Sequence, residues 1–390
     1  MTMNTERRSL VVFVLIALVL VVGAIWVGQW LAAGGPTKAV ARPGQIAFIS
    51  DRDGTADVWL MNEDGSDPVR LAVFPGDERE TAFSPDGDWI YFTGQIETQD
   101  YQLGKVRPNG RAKGRLLATS GAQTNISVSF GTRRVYYISN SQVFSCSTTG
   151  TDPVRVLPSR GDESLDPAQL RDMQEDPPPT RRYSYAVVSP RNDWIAAVSQ
   201  GYDFQRAYLS LGQDRVTATL LDGRGEKVVT DECTFGWSAD GRRLALATGG
   251  PPGYAMLAVY EPDPTRLPEG VPSIAPVRVL LESRDNRFAM RNPAWSPDGE
   301  TIVFERVEES PDGARLPAGL WAVPAKGGQP RRLVKGMVTN PVFSPDGRFL
   351  LYQSGDDLMR YDWKSGDVLN LTKGKGLNRY ASWSPVLKSK

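Results

Sequence analysis

The string DRDGTAD (51–57) brings Asp51, Asp53 and Asp57 together at the spacing of oxygen ligands for calcium. It lacks the full EF-hand pattern, so it reads as a turn, and no metal is expected. A second string, Ser-Pro-Asp-Gly, sets a hydroxyl near a carboxylate at 84–87, 296–299 and 344–347. Neither string can be completed into a nucleophilic site, because the 390 residues contain no histidine. A serine or cysteine nucleophile therefore has no imidazole to take its proton. With two cysteines, a zinc site of four thiolates is also excluded. What survives is chemistry run by carboxylates, lysine, tyrosine or an oxygen-ligated metal. Glycoside cleavage needs two carboxyl groups facing one bond, and no such pair stands out from the sequence. Charge is balanced at 45 basic and 45 acidic residues, which gives no electrostatic case for nucleic acid.

The Ser-Pro-Asp-Gly string recurs too often to be a single site. Ser84 has counterparts at Ser129, Ser189, Ser238, Ser296, Ser344 and Ser384, at intervals of 45, 60, 49, 58, 48 and 40 residues. This period fits a four-stranded propeller blade. The four residues suit a type I turn, with proline fixing φ and glycine taking the left-handed place. A short strand ending in Phe83, Trp237, Trp295 or Phe343 precedes the turn, and a second strand with alternating apolar residues follows it. A third strand reads DVWLMNEDG (57–65), GLWAVPAKG (319–327) or DLMRYDWKSG (357–366). The fourth recurs as DPVRLA (67–72), DPVRVL (152–157), APVRVL (275–280) and QPRRLV (329–334), its proline suited to the start of an outer edge strand. The repeated turn is thus expected to carry shape rather than chemistry.

The chain ends complete the count. RYASWSP (379–385) is an inner strand without a second strand, and GQIAFIS (44–50) is a second strand without an inner one. Together they make one blade. Second strands at Ile46, Ile90, Val135, Ile195, Leu244, Ile302 and Leu350 give an all-β, seven-bladed β-propeller closed by pairing of its terminal strands. The unit near Tyr183 is the least regular, and without it the count is six. Cys146 and Cys233 fall in the third and fifth units, too far apart for a disulfide, and read as buried small hydrophobes. The strings NIS (125–127) and NLT (370–372) match a glycosylation pattern but lie in expected strands.

IAFISDRDGTADVWLMNEDGSDPVRLA (46–72) resembles the WD-repeat-like repeat of TolB-type β-propellers, and the resemblance runs from 44 to 390. Similar repeats occur in the propellers of prolyl-oligopeptidase-type peptidases. The resemblance implies the fold and says little of activity. It departs from TolB in lacking the N-terminal α/β domain and in counting seven blades rather than six. It departs from the peptidases in lacking a hydrolase domain. The nearest string to a G-x-S-x-G elbow, GWSAD (236–240), is a repeat turn.

Before the repeats, LVVFVLIALVLVV (10–22) and GAIWVGQWL (23–31) form an uncharged stretch between Arg8 and Lys38. It is long enough to cross a bilayer as a helix. Trp26 and Trp30 suit its far headgroup level, and Arg7 and Arg8 favour a cytoplasmic N-terminus. The expected organisation is a cytoplasmic tail (1–8), a transmembrane helix (9–31), a linker (32–43) and an exported propeller (44–390). The competing reading is a signal peptide cleaved near LAAGG (31–35).

In a four-stranded blade, the second-to-third and blade-to-blade connections share one face, and the other two turns share the opposite one. The irregular stretches 94–101, 158–182, 200–214 and 307–318 all fall on the first face, and only 262–276 falls on the second. Insertions into a regular ring mark its working surface. The candidate binding residues there are Arg181, Arg182, Tyr202, Phe204, Arg206, Glu308 and Glu309. Arginine and aromatic residues are common anchors of protein interfaces. The expected function is a non-catalytic, membrane-tethered module of the cell envelope that binds a protein or peptide partner, without cofactor. The alternatives are a carboxylate-based carbohydrate-active enzyme or a small-ligand sensor using the central channel.

Overall fold

Strand pairs joined by the repeated turns set the architecture, which is that of a closed ring of sheets. The structure is a computed structural model. It describes residues 41–386 except 73, 98–99, 118–120, 158–181, 192–193, 201–204, 212–216, 222–223, 226, 253–254, 264–272, 284–286 and 311–313. The expected tail and transmembrane segment therefore lie outside the described residues. Among the described residues no helix is long and apolar enough to cross a membrane.

Seven four-stranded antiparallel blades form the ring. Blade one runs outward through Asn378–Trp383, Gln45–Ser50, Asp57–Asn62 and Val69–Ala72. Its inner strand comes from the C-terminal end of the chain and pairs with its second strand through Ile46↔Trp383 and Ser50↔Asn378. Blade two comprises Glu78–Phe83, Ile90–Gly94, Gln102–Val106 and Lys113–Arg115. Blade three comprises Gln123–Ser129, Arg134–Ser139, Gln142–Ser147 and Val154–Leu157. Blade four, the irregular unit, is complete with Tyr183–Val188, Trp194–Gln200, Gln205–Leu211 and Thr217–Leu220. Blade five comprises Val229–Trp237, Leu244–Pro252, Ala255–Tyr260 and Arg278–Ser283. Blades six and seven follow as Phe288–Trp295, Thr301–Glu309, Arg315–Pro324, Arg331–Val334, and Val338–Phe343, Phe349–Ser354, Asp357–Asp362, Val368–Asn370.

Alternation along the strands packs each blade on both neighbours. In blade one, Ile46 and Phe48 join Phe349, Leu351 and Trp383 in the cluster facing blade seven. Ala47 and Ile49, one residue out of phase, join Phe83, Ile90 and Phe92 facing blade two. Burying one such large side chain stabilises the ring by about 1.5–3 kcal/mol. Ala41, at the end of the expected linker, is already docked: it is buried in the same cluster and donates its N–H to the Gly87 carbonyl at 2.8 Å. The chain thus enters the ring on the face of the repeated turns.

Those turns are saturated internally. Ser84 Oγ donates to Asp86 Oδ1 at 2.6 Å and accepts the Trp89 N–H at 2.9 Å. The same two bonds recur at Ser238 with Asp240 and Arg243, and at Ser344 with Asp346 and Phe349. Gly87 sits at φ 68°, where a side chain would be strained. Ser296 and the Glu300 N–H hold the Asp298 carboxyl below the usual carboxylate range. The serines and aspartates are spent on the turn, as expected.

A feature absent from the sequence reading lines the channel. Every inner strand loses register against its second strand at one point, near its start in blades four and five and closer to its middle elsewhere, a β-bulge repeated around the ring. Glu80, Asn125, Asn292, Asn340 and Tyr380 sit there with φ between 47° and 58°. Side chains of adjacent blades take up backbone donors of these bulged strands. The Glu80 carboxylate accepts the Asn125 and Ile126 N–H groups at 3.0 and 2.8 Å, and Asn125 Oδ1 accepts the Ala186 N–H at 2.6 Å. Glu305 Oε1 accepts the Asn340 N–H at 2.6 Å. Burial pushes the Glu80 and Glu305 carboxyls up, and these N–H groups pull back toward the charged form. Asn125, the first residue of the NIS string, is therefore a structural link between blades.

Candidate binding face and a buried acid pair

The face opposite the repeated turns carries the connections of uneven length. Arg182 is exposed just before blade four. Arg181, Tyr202 and Phe204 lie outside the described residues, as do the side chains of Arg206 and Glu309. Two of the expected insertions are more regular than the sequence suggests. Gln205–Leu211 is the third strand of blade four, so Arg206 belongs to a strand and pairs with Val229 of blade five. Stretch 307–318 is a β-hairpin whose ladder continues through Val307↔Pro317, Glu308↔Leu316 and Glu309↔Arg315. Blade six thus raises a two-stranded arm above the ring. The fourth strand of that blade pairs only with Leu320–Ala322, which leaves the outer edge of the arm uncovered by it.

The arm carries a graded set of contacts. Arg306 lies 4.2 Å over the Phe288 ring and 4.8 Å over the Trp321 ring, where cation–π attraction holds it. Its Nε is 3.1 Å from the carboxylate of Glu308, whose side chain is half exposed. Leu316 on the arm, Met337 after blade six and Tyr380 at the inner rim are 55%, 65% and 38% exposed. These three exposed apolar side chains lie on the successive blades six, seven and one.

The insertion 262–276 on the turn face has a structural use. Ser273–Ile274 forms a short strand that pairs in parallel with Thr219–Leu220 of blade four. With the Gln205↔Thr230 and Arg206↔Val229 pairs near the opposite face, it joins blades four and five into one continuous nine-stranded sheet.

Around the ring, a backbone bond repeats where one blade meets the next. Glu78, Gln123, Tyr183 and Asn378, each opening an inner strand, donate their N–H groups to Ala56, Tyr101, Ser141 and Asp356. The side chains at these four positions are buried. At the seam of blades two and three the partner is an amide: Gln123 Oε1 accepts the Leu103 N–H at 2.8 Å. At the seam of blades one and two it is an acid. Glu78 and Asp57 are both fully buried. Asp57 Oδ2 is bonded by the Arg70 guanidinium and by Thr55 Oγ1. Asp57 Oδ1 and both oxygens of Glu78 have no hydrogen-bond donor among the described residues. Burial, and then the Asp57 charge, push the Glu78 carboxyl up to about 9.

Sequence reasoning singled out Asp57 within DRDGTAD and did not single out Glu78. The three aspartates of that string do not converge on one point: Asp53 and Asp57 flank Arg70, and Asp51 turns to a backbone N–H. Asp51 Oδ1 accepts the Leu377 N–H at 2.6 Å, Asp53 lies 3.9 Å from Arg70, and Asp57 is buried. Among the described residues, no three acidic, cysteine or histidine side chains form a group that could hold a metal ion. Cys146 and Cys233 are buried and are not joined in a disulfide, and burial pushes the Cys146 thiol up to about 12.

Fold and closure define the class: a seven-bladed β-propeller. No family model matches the chain, and no curated protein matches it either. Solved structures do. An oligogalacturonate lyase in complex with manganese is 14% identical over 80% of this chain and 82% of its own, with a TM-score of 0.54. A functionally unknown protein from Desulfotomaculum acetoxidans is 12% identical over 87% of this chain and 99% of its own, with a TM-score of 0.52. TolB from Acinetobacter baumannii is 13% identical over 88% of this chain and 67% of its own, with a TM-score of 0.49. At such identities the likeness shows the fold alone.

Proposed function

We propose that this chain is a non-catalytic, membrane-tethered β-propeller of the cell envelope that binds a protein or peptide on the face opposite its repeated turns. The observation that carries this reading is the division of labour between the two faces. On the turn face, hydroxyls and carboxylates are consumed by the turns, and the chain enters there at Ala41. On the other face stand the blade-six arm, an Arg306 held between two aromatic rings, and the exposed Leu316, Met337 and Tyr380. Apolar anchors rimmed by charge suit a protein interface. The N-terminal apolar stretch, with Arg7 and Arg8 before it, supports the tether and its orientation.

Photo-crosslinkers at Leu316 and Glu308 in intact cells should capture one discrete partner, and crosslinkers at Asp86 and Asp298 on the turn face should not. Equal capture from both faces would remove the reading. Membrane fractionation should leave the chain with the membrane after washing with alkaline carbonate. The carbohydrate-enzyme alternative gains little from Asp57 and Glu78, because both carboxyls are fully buried and present no surface to a glycan. Turnover of a glycan by the purified chain would restore it.

A further inference from the structure

The seam between blades one and two contains two carboxyl groups, full burial, and three oxygens that lack any donor. Two ionised carboxylates are disfavoured together in such a site, since burial penalises both charges and no backbone N–H bonds these three oxygens. We propose that Glu78 and Asp57 share a single proton, forming a clasp between blades one and two that holds at acid and neutral pH and opens in alkali. The Glu78 carboxyl donates its O–H to Asp57 Oδ1, the oxygen left vacant by Arg70 and Thr55. Asp57 keeps the negative charge, which the Arg70 guanidinium balances.

The surroundings fit a proton better than a cation. Among the described residues, the charges that act on the pair come from both blades. From blade one come Asp57 itself, Arg70 on the fourth strand, and Asp53 beyond Arg70 at 3.9 Å. From blade two comes Asp77, whose Oδ1 is 3.4 Å from the Ala56 nitrogen. Glu80, two residues along, turns to the Asn125 and Ile126 N–H groups of blade three. Arg70 already provides the positive charge, and a divalent ion would have to sit beside it. The backbone is cut to fit the acid: Gly94 is paired with Glu78, and a Cβ on Gly94 would stand 2.9 Å from Glu78 Cγ.

The clasp lies under the working face. Gly94 leads directly into the 94–101 connection, and Ile96 of that connection is buried in the cluster between the same two blades. Parting of Glu78 from Asp57 therefore disturbs a loop on the face that carries the insertions. The sign follows from the raised carboxyl. Unfolded, Glu78 releases its proton near the ordinary 4.5; folded, it keeps it to about 9. Between these values the unfolded chain binds fewer protons, so stability falls as pH rises.

The test is the unfolding of the full chain as a function of pH, for wild type and Glu78→Gln. Wild type should lose about tenfold in its folding constant per pH unit through this window. Glu78→Gln should be flat there, because an amide N–H supplies the donor at every pH. Parallel profiles for the two proteins would overturn the clasp. So would stabilisation of wild type, but not of Glu78→Gln, by added calcium or manganese, which would make the pair a metal site. An independent readout needs no variant that folds. Wild type should show the infrared carbonyl band of a protonated carboxylic acid at neutral pH, lost with a midpoint near 9. Absence of that band would also overturn the proposal.

Discussion

The seam between blades one and two and the seam between blades seven and one begin from the same residue. Each opens a third strand with aspartate, Asp57 in one and Asp357 in the other. Asp357 is satisfied on both oxygens: Thr372 Oγ1 and the Gly374 N–H reach Oδ1 at 2.6 and 2.7 Å, and Asn370 Nδ2 reaches Oδ2 at 2.7 Å. Against the cost of burial, these donors hold its carboxyl below the ordinary range. The inner strand beside it opens with Asn378, whose amide donates to the Asp356, Lys375 and Gly376 carbonyls. Asp57 instead meets Glu78, and the oxygen that faces it has no N–H donor. Two seams of one repeat thus treat an aspartate at the same position in opposite ways, half-buried and fully bonded at one, fully buried beside a second acid at the other. One seam holds its carboxylate charged with donors and weakens only in acid, and the other depends on a proton and weakens as pH rises.

The largest expected effect comes from removing the cation that makes the acidic seam tolerable. Arg70→Met leaves the buried Asp57 charge uncompensated and should cost about 3–5 kcal/mol in urea denaturation at neutral pH. A loss below about 1 kcal/mol would mean that Asp57 is not held ionised. Next comes conversion of one seam into the other. Asn378→Asp turns a carboxylate toward three carbonyls and should cost about 2–3 kcal/mol, with a new loss of stability as pH rises. An unchanged pH profile would show that the seams are not equivalent.

A smaller effect has the opposite sign. Asp357 contributes stability above the ordinary aspartate value of 3.8, and this is lost as pH falls through its lowered folded value. Asp357→Asn should therefore cost about 1–2 kcal/mol at neutral pH and approach wild type on acidification. The smallest effect is at the binding face. Glu308→Gln breaks a half-exposed pair and should alter stability by less than about 0.5 kcal/mol in the same denaturation. A larger change would show that the blade-six arm is part of the core.

The sequence disclosed what is local. The turn at Ser84–Gly87, the prolines before Val69 and Val154, and the alternation in Ile46–Ile49 each have their cause within a few residues. The closing strand was legible because two incomplete units can complete only each other. The third strand of blade four was read as loop because Ala207, Tyr208, Leu209 and Ser210 are all buried, so neither face shows a polar contrast. The blade-six arm was misread for the opposite reason: beyond the core its strands carry Glu308 and Glu309, which look like loop residues. The Glu78–Asp57 pair was not legible at all. The two residues belong to different blades, and each alone looks like a solvated acid. One signal was present: Gly94, a glycine at the end of an otherwise β-branched and aromatic strand, marks a place where another group comes close.

Closure through Trp383 and Ile46 also sets an order on synthesis. The segment that completes blade one is the last strand of the ring to be translated, so Gln45–Ser50 waits with a bare ladder edge while more than three hundred residues are made. Such an edge invites pairing with any strand nearby, including those of a neighbouring nascent chain. The ring therefore closes only once Asn378–Trp383 has been made, and chains cut short before Asn378 should accumulate as aggregates rather than as six-bladed rings.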